Sequence, residues 1–294
     1  MKLDEVILID SIPKNIYEQI LMESLEYAIL SIPFTINRMG IDFIEKRVEN
    51  IIKGKLAEGI FDFFCHSNNI NIDFKSCETP FWTIDKKDFI YQNLEWDIKN
   101  NYLHLDPKKE IDITYLPALV PNRHRNDQWS RRTAYVFSFI KEDDLVAGRR
   151  QNRFLKLDFS DEQIIFLDKV YRKYNGLPIE KEPFEPKKYT SHFMSLSDQL
   201  PYEISFHPQM YITAIATSGD WETFLDTGKG SPDHYRDFQK PEWYTRNFRG
   251  NISFMGGTIW GTITNKTAPI SMLQSFSSYI DKDEFQYARL INGS

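Results

Sequence analysis

Apolar side chains recur at helical spacing twice near the start of the chain. Between residues 14 and 30, Ile16, Ile20, Leu21, Leu25, Ala28 and Ile29 fall on one face, and Pro13 precedes them where a helix can open. A break is expected at Ser31–Pro33 and Gly40. The second stripe is Ile41, Ile44, Val48, Ile51, Ile52 and Leu56, with Glu45, Lys46, Glu49 and Lys53 on the outer face. This helix is expected to end between Glu58 and His66, which places Glu58 near its C-terminal end.

The period then changes from about 3.6 to 2. Asn71–Lys75 alternates as a short strand. Two apolar runs, Asp88–Tyr91 and Leu94–Ile98, flank Gln92-Asn93, the pattern of a β-hairpin with a tight turn. Thr133–Ile140 is almost continuously apolar and rich in β-formers, as a buried central strand would be. Residues 161–174 predict a helix through Ile164, Ile165, Leu167, Val170 and Tyr171. A proline- and charge-rich stretch, Leu177–Lys188, predicts a linker. Beyond it, 211–217 and 251–264 are β-like, and 269–280 predicts a closing helix. The expected fold class is α/β over residues 1–175, with a linker at 176–190 and a β-rich domain over 191–294.

Composition narrows the function classes. The 294 residues are 41% hydrophobic and 27% charged, as in a globular chain, and include 22 Phe and 15 Tyr. A net charge of −6 excludes a chain coated in positive potential, so nucleic-acid contact would come from a local basic patch or from ions bound at an acidic site. Cys65, His66 and Cys77 lack a fourth ligand at a zinc-site spacing, so the two thiols are expected to be buried. With no apolar run of about 20 residues and no signal-like start, the expected location is cytoplasmic, away from membranes.

The candidate chemistry sits on the hairpin. Strand alternation places Asp97 and Lys99 on one face, and Asp88 reaches the same region from the neighbouring strand. Two or three converging carboxylates suit Mg²⁺, which polarises a scissile phosphate and activates water. A nearby lysine adds charge where it develops in the reaction. Glu58, thirty residues upstream of Asp88, is a further candidate.

A helical Glu followed by Asp-x8-Asp-x-Lys on a hairpin resembles the PD-(D/E)xK nuclease superfamily, over about residues 41–141. The resemblance implies catalytic residues Asp88, Asp97, Lys99 and Glu58. Asp88, Asp97 and Glu58 would hold Mg²⁺, and Lys99 would assist the attacking water. The residue before Asp88 is Lys87, where the superfamily motif has proline. The resemblance implies a restriction-endonuclease-like mixed sheet flanked by helices, in an enzyme that hydrolyses double-stranded DNA and works as a homodimer. A nuclease of another defence, repair or mobile-element system is an alternative, as is a non-catalytic binding protein with a decayed core.

A rival set, Asp62, Asp73 and Lys75, repeats the spacing less well. Arg123, Arg125, Gln128, Arg131 and Arg132 form a basic stretch suited to DNA phosphates. His234–Arg249 interleaves aromatics with basic residues, which suits nucleic-acid contact as well as it suits a packed loop.

Overall fold

Both N-terminal stripes form helices, and both helices run longer than their patterns predict. The computed structural model describes residues 1–39, 44–80, 87–104, 113–121, 132–142, 145–146, 149–150, 155–174, 184–204, 208–221, 225–226, 253–254, 257–258 and 265–291. Helix α1 (Lys14–Met39) continues through the expected break at Ser31–Pro33. Proline removes one backbone hydrogen bond from a helix. Leu30, Ser31 and Ile32 are nevertheless buried, and the Ser31 hydroxyl donates to the Ala28 carbonyl at 3.0 Å. Packing of that stretch outweighs the lost bond. Helix α2 (Ile44–Ser67) passes through Gly59 without ending there. A Cβ at Gly59 would lie 2.4 Å from Ile20 Cγ2, so this glycine marks the close approach of α1 to α2. Glu58 therefore stands well inside the helix, nine residues before its last, Ser67.

A mixed seven-stranded sheet lies beside these helices. Its strands are β1 (Ile7–Ile9), β2 (Phe89–Tyr91), β3 (Leu94–His104) and β5 (Thr133–Glu142), followed by three from the C-terminal third. Strand β4 (Pro117–Pro121) stands outside it. Short strands β6 (Leu145–Val146) and β7 (Arg149–Arg150) pair with each other, as do β8 (Lys156–Leu157) and β9 (Tyr202–Glu203). Strands β10 (Gln209–Ala216), β15 (Gln274–Ser275) and β16 (Ala288–Leu290) then complete the large sheet, in the order β16-β1-β10-β5-β3-β2 with β15 on β10. Strands β3 and β5 run parallel from Glu95↔Thr133 to His104↔Glu142, and the other pairings in this sheet are antiparallel. The segment beyond the proline-rich stretch thus supplies the strand between β1 and β5. Within that stretch, Pro186 opens helix α4 (Pro186–Ser195), which follows α3 (Asp161–Tyr174).

The sheet separates two apolar layers. On one face Trp96, Ile98, Val136 and Ile212 pack with Leu21, Val48, Ile60 and Phe64 of α1 and α2, and with Leu167 and Phe193 of α3 and α4. On the other, Tyr135, Phe137, Phe139 and Ala214 pack against Leu119 of β4 and Ala268 of β14 (Asn265–Pro269). Strand β11 (Leu225–Asp226) joins β14 and β4 in a three-stranded sheet, and β12 (Ser253–Phe254) pairs with β13 (Gly257–Thr258).

Two expected elements are shorter than predicted. Asn71–Lys75 makes only one antiparallel bridge, Asp73↔Ile90, because the chain turns at once into a 3-10 turn at Lys75–Cys77. The closing helix reduces to a 3-10 turn (Ile270–Met272) and a single turn at Phe276–Tyr279, since Gln274 and Ser275 pair with β10. Among the described residues no helix is long and apolar enough to cross a membrane.

Candidate active site

The turn comes first. Gln92 (φ 50°) and Asn93 (φ 61°) both take the left-handed conformation, the signature of the two-residue turn whose twist matches a hairpin. It sets the register Phe89↔Trp96, Ile90↔Glu95 and Tyr91↔Leu94. Phe89 and Trp96 are fully buried with parallel rings 5.9 Å apart, and the Trp96 indole N–H donates to the Tyr91 carbonyl at 3.0 Å. A slip of one residue would drive Asp97 into this apolar layer, so the aromatic pair keeps Asp97 on the opposite face of the sheet, beside Tyr135.

Asp97 and Lys99 accordingly share the face opposite Trp96 and Ile98, and the Lys99 ammonium donates to Asp97 Oδ2 at 2.5 Å. Both side chains are largely buried, at 10% and 19% exposure, so the pair is shielded from the solvent that weakens surface ion pairs. The Tyr135 ring, opposite Asp97 on β5, lies 5.5 Å from the Lys99 nitrogen.

Asp88 occupies the edge between the two faces. Its backbone N–H donates to the Trp96 carbonyl at 2.7 Å, and its Oδ2 accepts the Ile98 N–H at 2.6 Å. Burial pushes this carboxyl well above the usual range, and the charges of Glu58 and Asp97 push it further. The Ile98 N–H and Lys55 oppose them. Glu58 reaches toward Asp88 from α2 and is held at 2.7 Å by Lys55, whose nitrogen also lies 4.6 Å from the Tyr27 ring. A cleft of about 440 Å³ opens here, lined by Glu58, Asp62, Cys77, Lys87 and Asp88 among others.

Lys87, read from sequence only as a departure from a motif, is the residue that the pattern missed. It is half-buried, donates to the Thr133 hydroxyl at 3.0 Å, and lies 5.9 Å from the Tyr135 ring. Burial lowers its pKa, while Asp97, Glu95 and Asp88 raise it. Its signal in the sequence was a charged residue beside an apolar strand, and that does not distinguish it from a surface lysine.

The structure thus sets Asp88 between two groups: Glu58 lines the cleft with it, and the charge of Asp97, paired with Lys99, acts on it from β3. Among the described residues no three His, Cys, Asp or Glu side chains close into a ready metal cage. The donor atoms at hand are carboxylate oxygens, the kind a hard divalent cation takes. The like charges of Glu58 and Asp97 act on Asp88, and a bound cation would offset them.

The rival set is not brought together. Asp73 is exposed and bound to its own turn, accepting the Ser76 N–H at 2.9 Å and the Ser76 hydroxyl at 2.5 Å, which lowers its pKa. Lys75 is exposed as well, and only Asp62 faces the cleft, with His66 at 2.9 Å. Cys65 is buried as expected, but Cys77 is only half-buried and lines the cleft.

Of the basic stretch, Arg123, Arg125, Gln128 and Arg131 lie outside the described residues, as does His234–Arg249. Arg132 is exposed, and its carbonyl accepts the Glu95 N–H at 2.7 Å, which sets it at the same end of β3 and β5 as the acidic group. Comparison with protein-family models, curated proteins and solved structures finds no match for this chain.

Proposed function

We propose that this chain is a Mg²⁺-dependent endonuclease that hydrolyses phosphodiester bonds of double-stranded DNA, with a site-specific, restriction-like mode of action and a homodimeric assembly. One observation carries the reading. Asp88, just before β2, accepts the Ile98 N–H beside the Asp97–Lys99 pair and lines one cleft with Glu58 of the helix behind. Partly buried acids gathered near a lysine are costly to a fold, and a catalytic role accounts for that cost.

Asp88, Asp97 and Glu58 would hold the cation. When bound it supplies Lewis-acid charge at the scissile phosphate and a more acidic water. Asp97 holds the Lys99 ammonium in place, and that ammonium offsets the negative charge that builds as water oxygen bonds to phosphorus and the P–O ester bond breaks. The Ile98 N–H fixes one oxygen of Asp88 and leaves the other for a ligand. Arg132, at the same end of the sheet, and the stretch leading to it are suited to flanking phosphates.

The test is incubation of supercoiled plasmid with Mg²⁺ or with EDTA, for the wild type and for Asp97→Ala and Lys99→Ala. Discrete, metal-dependent fragments lost in both variants support the reading. A smear removes the site-specific part. No cutting of any nucleic acid removes the enzyme and leaves a binding protein.

A further inference from the structure

Three lysines stand around this site, and they are not equivalent. Lys55 is paired with Glu58 at 2.7 Å, and Lys99 with Asp97 at 2.5 Å. Lys87 makes its hydrogen bond to a neutral group, the Thr133 hydroxyl at 3.0 Å, and among the described residues no carboxylate lies within ion-pairing distance of it. Yet it is half-buried and lines the same cleft as Glu58 and Asp88. The other two ammonium groups spend their charge within the protein.

We propose that Lys87 binds substrate phosphate, its ammonium donating to a non-bridging oxygen of the phosphodiester in the cleft shared with Asp88 and Glu58. This rests on the nuclease reading and adds to it a contact that the Asp88, Asp97, Lys99 and Glu58 set does not contain. The hydroxyl of Thr133 and the ring of Tyr135 set the direction of the ammonium before substrate arrives. A cation held by a neutral hydroxyl and a ring face loses no ion pair on meeting a phosphate, whereas Lys55 and Lys99 would each have to exchange a carboxylate.

The experiment measures binding rather than turnover. A short fluorescein-labelled DNA duplex is titrated in Ca²⁺ at several KCl concentrations, with wild type, Lys87→Gln and Lys87→Arg. One lost phosphate contact lowers the slope of log K against log salt by about 0.9, and this is expected for Lys87→Gln. Lys87→Arg keeps the slope. As a measurement independent of any variant, acetylation of Lys87 in the wild type, followed by peptide mass spectrometry, slows severalfold when duplex is bound, while acetylation of the exposed Lys46 does not change. An unchanged slope in Lys87→Gln, or unprotected Lys87 in a wild type that binds duplex, overturns the Lys87 proposal alone. A wild type that neither binds nor cuts any nucleic acid overturns the nuclease reading, and the Lys87 proposal with it.

Discussion

The Asp88 carboxylate receives the Ile98 backbone N–H at 2.6 Å, a hydrogen bond from the middle of β3 to a side chain at the strand's edge. One carboxylate oxygen thereby does the work of a strand carbonyl, and the hairpin's last ladder bond depends on an acid that the same surroundings hold well above its ordinary pKa.

That arrangement has a pH signature. The folded carboxyl keeps its proton to a higher pH than the unfolded one. Stability from this group is therefore complete below the ordinary carboxylate range and is lost as pH rises through the raised folded value. Asp88→Asn keeps an oxygen for Ile98 and carries no charge. At neutral pH it is expected to raise stability by about 1 kcal/mol or more, seen as a Tm increase of roughly 2–4 °C. The gain should vanish near pH 3–4, around the unfolded carboxylate value of about 3.9. Thermal melts from pH 4 to 8 check it, and a variant less stable than wild type at pH 7 would contradict it. In the same melts Mg²⁺ or Ca²⁺ is expected to stabilise the wild type and to have little effect on Asp88→Asn.

Two glycines of α2 make opposite predictions. Gly54 has nothing within 4 Å of an added Cβ, so Gly54→Ala is expected to stabilise by about 0.5–1 kcal/mol, the helix-propensity difference. At Gly59 the added atom would meet Ile20 Cγ2 at 2.4 Å, and that methyl belongs to a β-branched side chain with little freedom to move. Gly59→Ala is expected to destabilise by about 1–3 kcal/mol. Urea unfolding of both variants measures the difference, and equal effects would show that α1 and α2 are not locked at this point.

Asp97 and Asp73 each precede a lysine by two residues, but only Asp97 belongs to the candidate site. Asp97→Ala or Lys99→Ala should lower plasmid cleavage by on the order of 10²–10³-fold, the range for removing a charge-stabilising group. Asp73→Ala removes the hydrogen bonds to Ser76 and should leave cleavage close to wild type. Loss of cutting in Asp73→Ala alone would move the site.

Cys77 offers a reporter inside the cleft. Burial first, then the charges of Glu95, Asp88 and Asp73, raise its thiol pKa, with Lys87 opposing. Its alkylation by iodoacetamide at pH 7 is expected to be slower than that of an unstructured cysteine peptide, and to rise with pH as thiolate forms. Stopped aliquots read by mass spectrometry give the rate. A rate at or above the peptide's would mean that the acids do not reach the thiol.

Much of this was legible along the chain. The helical stripes, the hairpin at Gln92-Asn93, the buried strand beginning at Thr133 and the shared face of Asp97 and Lys99 all depend on local periodicity, and the structure has each of them. The reading went astray where a distant partner overruled the local signal. Pro33 sits in a helix because its neighbours are buried, and α2 runs on to Ser67, just past the expected end between Glu58 and His66. Gln274 and Ser275 leave a predicted helix because β10 takes their backbone.

By itself, then, the sequence determined the elements and which side chains share a face, since periods of 2 and 3.6 are properties of the backbone alone. Only the tertiary structure decided that β10 stands between β1 and β5, that Glu58 and Asp88 line one cleft, and that Lys87 turns its ammonium to Thr133. Those are distances between residues far apart in the chain. They are set by how two apolar layers close around one sheet, and no repeat in the sequence encodes them.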